Sequence, residues 1–153
     1  MEIHITKGHK RNSLKCIRND GSFIITEIGS KIPYHDLAHY VVEKGFGIKN
    51  GFYGNINSGF SFEELSNKEI IQKLDPEVWL SEIMARNLQS LGADVVSCKE
   101  YRDLVMWEAQ NYSDIKVPKM NLKDIEKLKD EFILLSNNWY GLPENGVIKL
   151  LFD

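Results

Sequence analysis

The chain has 153 residues, of which 42% are hydrophobic and 27% are charged, and its net charge is −3. These values are typical of a folded globular protein and argue against disorder, and the acidic balance argues against a nucleic-acid partner. The length fits one domain over 1–153 that can bury its own core. No stretch reaches the ~18 apolar residues of a membrane span, so a membrane partner is not expected.

The N-terminal and cysteine patterns favour a cytoplasmic protein. The opening "MEIHITKGHKRN" lacks the apolar stretch of a signal peptide. Cys16 and Cys98 are far apart and form no Cys-x-x-Cys pair, so both are predicted to be free, buried thiols in a reducing compartment. The composition, rich in lysine, isoleucine and asparagine, is typical of a bacterial chain from an AT-rich genome.

The strands are predicted at the two ends of the chain. "EIHIT" alternates polar and apolar residues, and the β-rich runs "SLKCIR" and "SFIITEI" are joined by "NDGS", whose Asp-Gly step favours a hairpin. Residues 2–28 therefore form a predicted three-stranded antiparallel meander. The closing run "VIKLLF" is predicted to join it as a fourth strand.

Helices are predicted for most of the chain between these strands. Pro33 opens the first helix, which runs to about Lys44, and the glycine-rich stretch 45–59 is predicted to be a shaped loop. Capping residues then mark further helical starts, at Ser61 with Glu64, Asp75 before Pro76, Ser97, and Asn121 with Asp124. The predicted fold class is α+β, with an antiparallel sheet of about four strands and about five helices packed on one face.

The first helix carries an ionisable stripe beside its core face. At 100° per residue, the predicted core face consists of Tyr34, Leu37, Ala38, Val41 and Val42. His35, His39 and Glu43 follow one another at intervals of four residues, so they stack along the edge of that face, with Asp36 just beyond Glu43 on the same side.

Two histidines four residues apart can bind one metal ion, and Glu43 is the predicted third ligand. Three protein ligands and an open fourth position are typical of a catalytic zinc site, so a divalent transition metal, most simply Zn, is the predicted cofactor. The stretch "HDLAH" has the outline of H-E-x-x-H with Asp36 in the glutamate position, which makes Asp36 the candidate catalytic residue. Aspartate stands roughly 1.5 Å further back than glutamate, so a peptidase function is less favoured.

A non-catalytic binding or regulatory module is the alternative hypothesis. A carboxylate in the first turn, such as Asp36, stabilises the helix dipole. His35 and His39 could donate hydrogen bonds to loop carbonyls, and Glu43 could pair with a lysine. The sequence leaves both hypotheses open, and it also leaves open whether the protein is an enzyme.

The block "PYHDLAHYVVE", followed by "GFGIKNGFYGNINSGF", resembles a family of small uncharacterised bacterial proteins. That family carries a Pro-x-His-Asp-Leu-x-His-Tyr-x-Val-Glu block and then a Gly-Phe-Tyr/Phe-Gly segment, and the resemblance covers roughly residues 32–60. It implies that Pro33, His35, Asp36, His39, Tyr40 and Glu43 form one unit with Gly51 and Gly54. It implies no activity.

Aromatic and amide side chains near this unit are the candidate binding residues for a small-molecule ligand or substrate. Tyr40 adjoins His39, and Tyr53 and Asn55 would line a lid formed by the glycine-rich segment. In the alternative, this segment is a connection whose phenylalanines cover the core. Trp79, Trp107 and Trp139 are predicted to be core or interface anchors, and homo-oligomers are an open option.

Overall fold

The computed structural model describes all 153 residues, and four strands form one antiparallel sheet. The strands are β1 (Glu2–Thr6), β2 (Asn12–Ile17), β3 (Phe23–Ile28) and β4 (Val147–Leu151), in the order β3-β2-β1-β4. The β2–β3 turn uses Gly21 at a φ of 85°, a conformation that glycine adopts freely. The predicted meander is confirmed, and so is the prediction that the last strand joins it, which it does by pairing with β1.

Six helices pack against this sheet, which confirms the α+β prediction. They are α1 (Tyr34–Phe46), α2 (Phe52–Asn57), α3 (Lys68–Ile71), α4 (Glu77–Gly92), α5 (Cys98–Ala109) and α6 (Leu122–Gly141), with a 3-10 turn at Glu64–Ser66. The predicted caps form. The Ser97 hydroxyl accepts from the backbone N–H of Glu100, and the Asn121 side chain accepts from that of Asp124.

The prediction of a loop over residues 45–59 is wrong for its second half, which is helix α2. Gly47, at a φ of 66°, ends α1, and the chain is helical again from Phe52, five residues later. Glycines disfavour a helix, but here the first N–H groups of α2 donate to the carboxylate of Glu43 on α1. This tertiary contact overrides the local preference.

The core lies between the inner face of the sheet and the helices, with α1 at its centre. One connected cluster of 30 buried apolar residues includes alternate residues of β1 and β2 and the predicted core face of α1. Tyr34 is the exception on that face. It is 37% exposed at the start of the helix, where its hydroxyl lies 2.7 Å from the hydroxyl of Tyr140.

The predictions for the tryptophans and the cysteines are confirmed only in part. Trp139 is buried and Trp79 is half-buried, whereas Trp107 is 65% exposed on α5 and is not a core residue. Both cysteines are free thiols; Cys16 is buried as predicted, whereas Cys98 is half-buried, so the prediction of burial is wrong for Cys98. Burial raises the pKa of Cys16 to about 12, which disfavours a nucleophilic thiolate there. None of the helices combines the length and apolar character that a membrane crossing requires.

Candidate metal centre

Helices α1 and α4 pack side by side and bring together three side chains that could hold a metal ion: His35, His39 and Glu82. The two histidine Nε2 atoms are 3.1 Å apart. Oε2 of Glu82 is 3.2 Å from each of them. The three atoms therefore form a nearly equilateral triangle, with two corners on α1 and one on α4.

This triangle has the size of one face of a tetrahedral metal site. Zinc bonds to nitrogen and carboxylate oxygen are ~2.0–2.1 Å long, which places the ligand atoms of a regular tetrahedron ~3.3–3.4 Å apart. The observed separations of 3.1–3.2 Å are slightly shorter. These three side chains would hold a tetrahedral ion and leave its fourth position open.

The buried side of the cluster fixes the ring of His39. Its Nδ1 lies 2.8 Å from Oγ of Ser81 and 3.2 Å from Oε1 of Glu43, and the Ser81 hydroxyl donates to the same carboxylate at 2.6 Å. A proton on Nδ1 satisfies these acceptors and leaves the Nε2 lone pair for the cluster. Metal-bound histidines commonly have such a carboxylate or hydroxyl behind them, because it fixes the tautomer and the ring orientation.

His35 has a weaker support of the same kind. Its Nδ1 lies 3.0 Å from the side-chain amide of Gln89, one and a half to two turns along α4 from Glu82. With the amide oxygen turned to this position, Gln89 accepts the Nδ1 proton and frees Nε2 of His35. Both histidines can therefore present unprotonated Nε2 atoms to one point.

Charge in the metal-free cluster is balanced by a proton on His39. Burial by itself lowers the pKa of His39, but hydrogen bonds with Glu43 and Glu82 outweigh burial and raise this pKa to about 9. The hydrogen bonds from His35 and His39 hold the pKa of Glu82 well below its usual range. A bound cation would replace that proton, because a metal and a proton compete for the same lone pair.

The cluster is buried on one side and open on the other. The side chain of His39 is 5% exposed, whereas those of Glu82 and His35 are 42% and 48% exposed. His39 and Glu82 also belong to the lining of a cleft of about 260 Å³, together with Phe52 and Trp79. Solvent and small molecules in this cleft therefore contact two of the three candidate ligands.

Glu43, the predicted third ligand, lies behind His39 and outside the ligand triangle. Its carboxylate accepts the backbone N–H groups of Phe52 at 2.7 Å and Tyr53 at 2.9 Å, in addition to the Ser81 hydroxyl. A Cβ atom on Gly51 would stand 2.5 Å from the carboxylate carbon of Glu43, so glycine permits this close approach. Glu43 therefore orients His39 and anchors α2, and Glu82 takes the third corner.

Asp36, the candidate catalytic residue, is half-buried and lies outside the three-residue cluster. Burial raises the pKa of its carboxyl, and the nearby charges of His39 and His35 oppose that shift. Asp36 lines a second cleft, of about 290 Å³, together with His35 and Gln89. The structure thus places it near the cluster but not among its ligand atoms.

The three candidate substrate-binding residues are all buried and engaged in internal hydrogen bonds. The hydroxyl of Tyr53 donates to the carbonyl of Asp36, and the Asn55 amide donates to two carbonyls at the start of α2. The Tyr40 hydroxyl donates to the carbonyl of Leu151 on β4. None of the three lines the cleft beside the cluster. In this structure they stabilise the packing of α1 and α2.

Glu82 is the candidate ligand that sequence reasoning missed. It lies 43 residues after His39, on a helix with no histidine and no motif around it. In the printed sequence it is one of several acidic residues on amphipathic helices. Only the packing of α4 against α1 distinguishes it from the others.

No protein-family model, no curated protein and no solved structure gives a significant match to the chain.

Proposed function

We propose that this protein binds one divalent transition metal through His35, His39 and Glu82 and uses it to hydrolyse a small substrate. The observation that carries the proposal is the triangle of ligand atoms, 3.1–3.2 Å on each side. The oriented ring of His39 and the exposed edge of the triangle add to it. Both features are typical of catalytic metal sites, which keep one position open.

Zinc is the first candidate for the metal. Two histidines and one carboxylate with an open fourth position are a ligand set of catalytic zinc, and the same set with more open positions binds non-haem Fe(II). The ligand spacing favours the tetrahedral arrangement described above. Mn and Ni share these ligand preferences and belong in the same loading experiment.

Hydrolysis is the reaction class that best fits such a site. A metal of this kind acts as a Lewis acid and makes a water molecule nucleophilic at neutral pH. In hydrolysis, water adds to a carbonyl carbon, the bond to the leaving oxygen or nitrogen breaks, and a proton passes to that leaving atom. The hydrogen bonds of Glu82 in the cluster all use Oε2, which leaves its Oε1 as a candidate to accept the proton of water.

Elemental analysis of the tag-free protein by mass spectrometry is the direct test. We expect about one equivalent of metal in the parent protein, and loss of the metal in His39→Ala and in Glu82→Gln. His9→Ala is the matched control, because His9 is exposed and pairs with a single carboxylate, that of Glu144 at 3.2 Å. Absence of metal from the parent, even after incubation with Zn, Fe, Mn and Ni in turn, would refute the proposal.

Activity is tested on the same samples. Metal-loaded protein is screened against small esters, amides and phosphate esters, beside the chelated protein and His39→Ala. We expect turnover in the loaded sample alone. If the protein binds one equivalent of metal but turns over none of these substrates, the proposed metal binding stands and the proposed hydrolysis is refuted.

A non-catalytic role is the second candidate, favoured by the completeness of the hydrogen-bond network without a metal. His39 is buried, and its two ring nitrogens already have partners on α1 and α4. The cluster would then hold the two helices together within a binding or regulatory module. In that case chelation leaves the melting temperature unchanged, whereas His39→Ala lowers the stability by about 1–3 kcal/mol.

A further inference from the structure

Beside the ligand triangle lies a cleft whose walls are mainly apolar. We name it the aromatic cleft, and its lining includes Phe52, Leu65, Ile71, Val78 and Trp79. His39 and Glu82 belong to the same lining. A molecule in this cleft would therefore touch two of the three metal-binding side chains, whereas a cleft of about 370 Å³ between α4 and α6 contains none of them.

The aromatic walls are held in place by neighbouring rings. The ring of Phe52 packs against the imidazole of His39 at 5.2 Å between centroids, and the indole of Trp79 stacks on Tyr112 at 5.4 Å and 22°. Both aromatic side chains are half-buried. The cleft thus presents fixed aromatic surface that is partly open to solvent, which is typical of a small-molecule site.

Size limits what the cleft can take. A cavity of about 150 Å³ holds one benzene ring, and pockets for drug-sized ligands run from about 300 Å³ upward. A cleft of about 260 Å³ therefore fits one ring or one branched aliphatic group with a short linking chain. It is too small for an extended polymer segment to be enclosed.

The charged side chains in the lining determine where the polar group of a ligand would bind. Glu82, a candidate metal ligand, and Lys68 both belong to the lining of the aromatic cleft. A carbonyl or carboxylate group is attracted to the metal, and Lys68 adds a second favourable position for an anion. Apart from Ser66, the rest of the lining offers apolar contact to the remainder of the molecule.

We infer that the aromatic cleft is the specificity pocket of the site and that it takes a compact acyl group bearing one aromatic ring. The substrate class is a small ester or amide of an aromatic carboxylic acid, whose carbonyl reaches the metal while the ring lies between Phe52 and Trp79. The inference rests on the proposed metal site for the placement of the carbonyl. The ring-binding surface itself is formed by the protein alone.

The test compares two metal-binding probes that differ only in the ring. Acetohydroxamate and phenylacetohydroxamate are titrated by calorimetry into the zinc-loaded protein. We expect the phenyl probe to bind at least tenfold tighter, because burial of an aromatic ring stabilises the complex. Equal affinities would overturn the inference and leave the metal site intact.

Two variants locate the preference. Trp79→Ala removes aromatic surface from the lining, and Ile71→Trp adds a bulky side chain to it. Both should abolish the tenfold preference while acetohydroxamate binds as in the parent. Unchanged acetohydroxamate affinity shows that each variant is folded around its metal. Trp107→Ala, which removes an exposed indole on α5, is the control and should keep the preference. A preference that survives in both cleft variants would refute the assignment.

The metal-free protein separates failure of the site from failure of the cleft. It is titrated with acetate and phenylacetate, whose carboxylates can pair with Lys68 in the cleft lining. Tighter binding of phenylacetate, lost in Trp79→Ala, would support the ring pocket even if no metal binds. No difference between the two anions, in protein that takes up no metal, would overturn both the inference and the proposed function.

Discussion

The sharpest structural prediction concerns Glu43→Gln, which changes one carboxylate oxygen to an amide nitrogen. Glu43 accepts N–H groups from Phe52, Tyr53 and, at 3.4 Å, Gly54, and it also accepts the Ser81 hydroxyl. An amide has one acceptor oxygen, so in either orientation its NH₂ group must face at least one of these donors. The N–H group left without an acceptor is buried at the start of α2.

The size of the effect follows from those contacts. A buried donor without an acceptor costs about 1–3 kcal/mol, and changing the remaining bonds from a charged to a neutral acceptor costs about 1 kcal/mol more. We therefore expect Glu43→Gln to lower the free energy of unfolding by about 2–4 kcal/mol. For a chain of this length that corresponds to a melting temperature about 4–16 °C lower.

The assay is urea and thermal unfolding followed by far-ultraviolet circular dichroism, with a chelator present so that metal binding does not contribute. Glu144→Gln is the control, because Glu144 is exposed and contacts only His9. We expect the control to unfold like the parent. A Glu43→Gln protein whose stability is within about 0.5 kcal/mol of the parent would refute the role of Glu43 as the buried anchor of α2.

Three further predictions follow from the same region. The pKa of His39 is raised to about 9 in the folded protein, so the protonated side chain stabilises the metal-free fold. This stabilisation is fully present below pH 6.5 and is lost as the pH rises to about 9, which lowers the free energy of unfolding by roughly 3 kcal/mol. A urea midpoint that stays constant across that pH range would contradict the prediction. Because zinc must displace that proton, zinc affinity should rise about tenfold from pH 7 to pH 8 in competition titrations, and a pH-independent affinity would count against His39 as a ligand. Gly51→Ala places a Cβ against the Glu43 carboxylate and should lower the free energy of unfolding in urea by about 1–3 kcal/mol. The control is Gly29→Ala, whose Cβ would have nothing within 4 Å and should leave the stability unchanged. Equal effects of the two substitutions would contradict the close approach of Gly51 to Glu43.

Metal loading should also couple to stability. A ligand that binds only the folded protein raises its stability in proportion to the logarithm of the ligand concentration over its dissociation constant. The melting temperature of the parent should therefore rise with zinc concentration, while Glu82→Gln should show no rise. Differential scanning calorimetry measures both, and equal rises in the two proteins would place the zinc elsewhere.

Local signals in the sequence determined most of the fold. The Asp-Gly step between two β-rich runs specifies a hairpin, and Ser97 and Asn121 mark helix starts whose caps form as predicted. The spacing of His35 and His39 likewise placed two ligand atoms on one side of a helix. Each of these features depends on residues within a few positions of one another, so the printed order of residues is enough to find it.

The third ligand and the support of the site were decided by tertiary structure. Glu82 reaches the histidines because α4 packs beside α1, and nothing within its own helix distinguishes it from other exposed acids. The carboxylate of Glu43 accepts hydrogen bonds from the first N–H groups of α2. Helix α2 forms in a glycine-rich segment because these bonds satisfy the N–H groups of its first turn. Contacts between residues far apart in the chain leave no periodic or spacing signal, so one sequence could predict a metal site on the first helix but could not complete it.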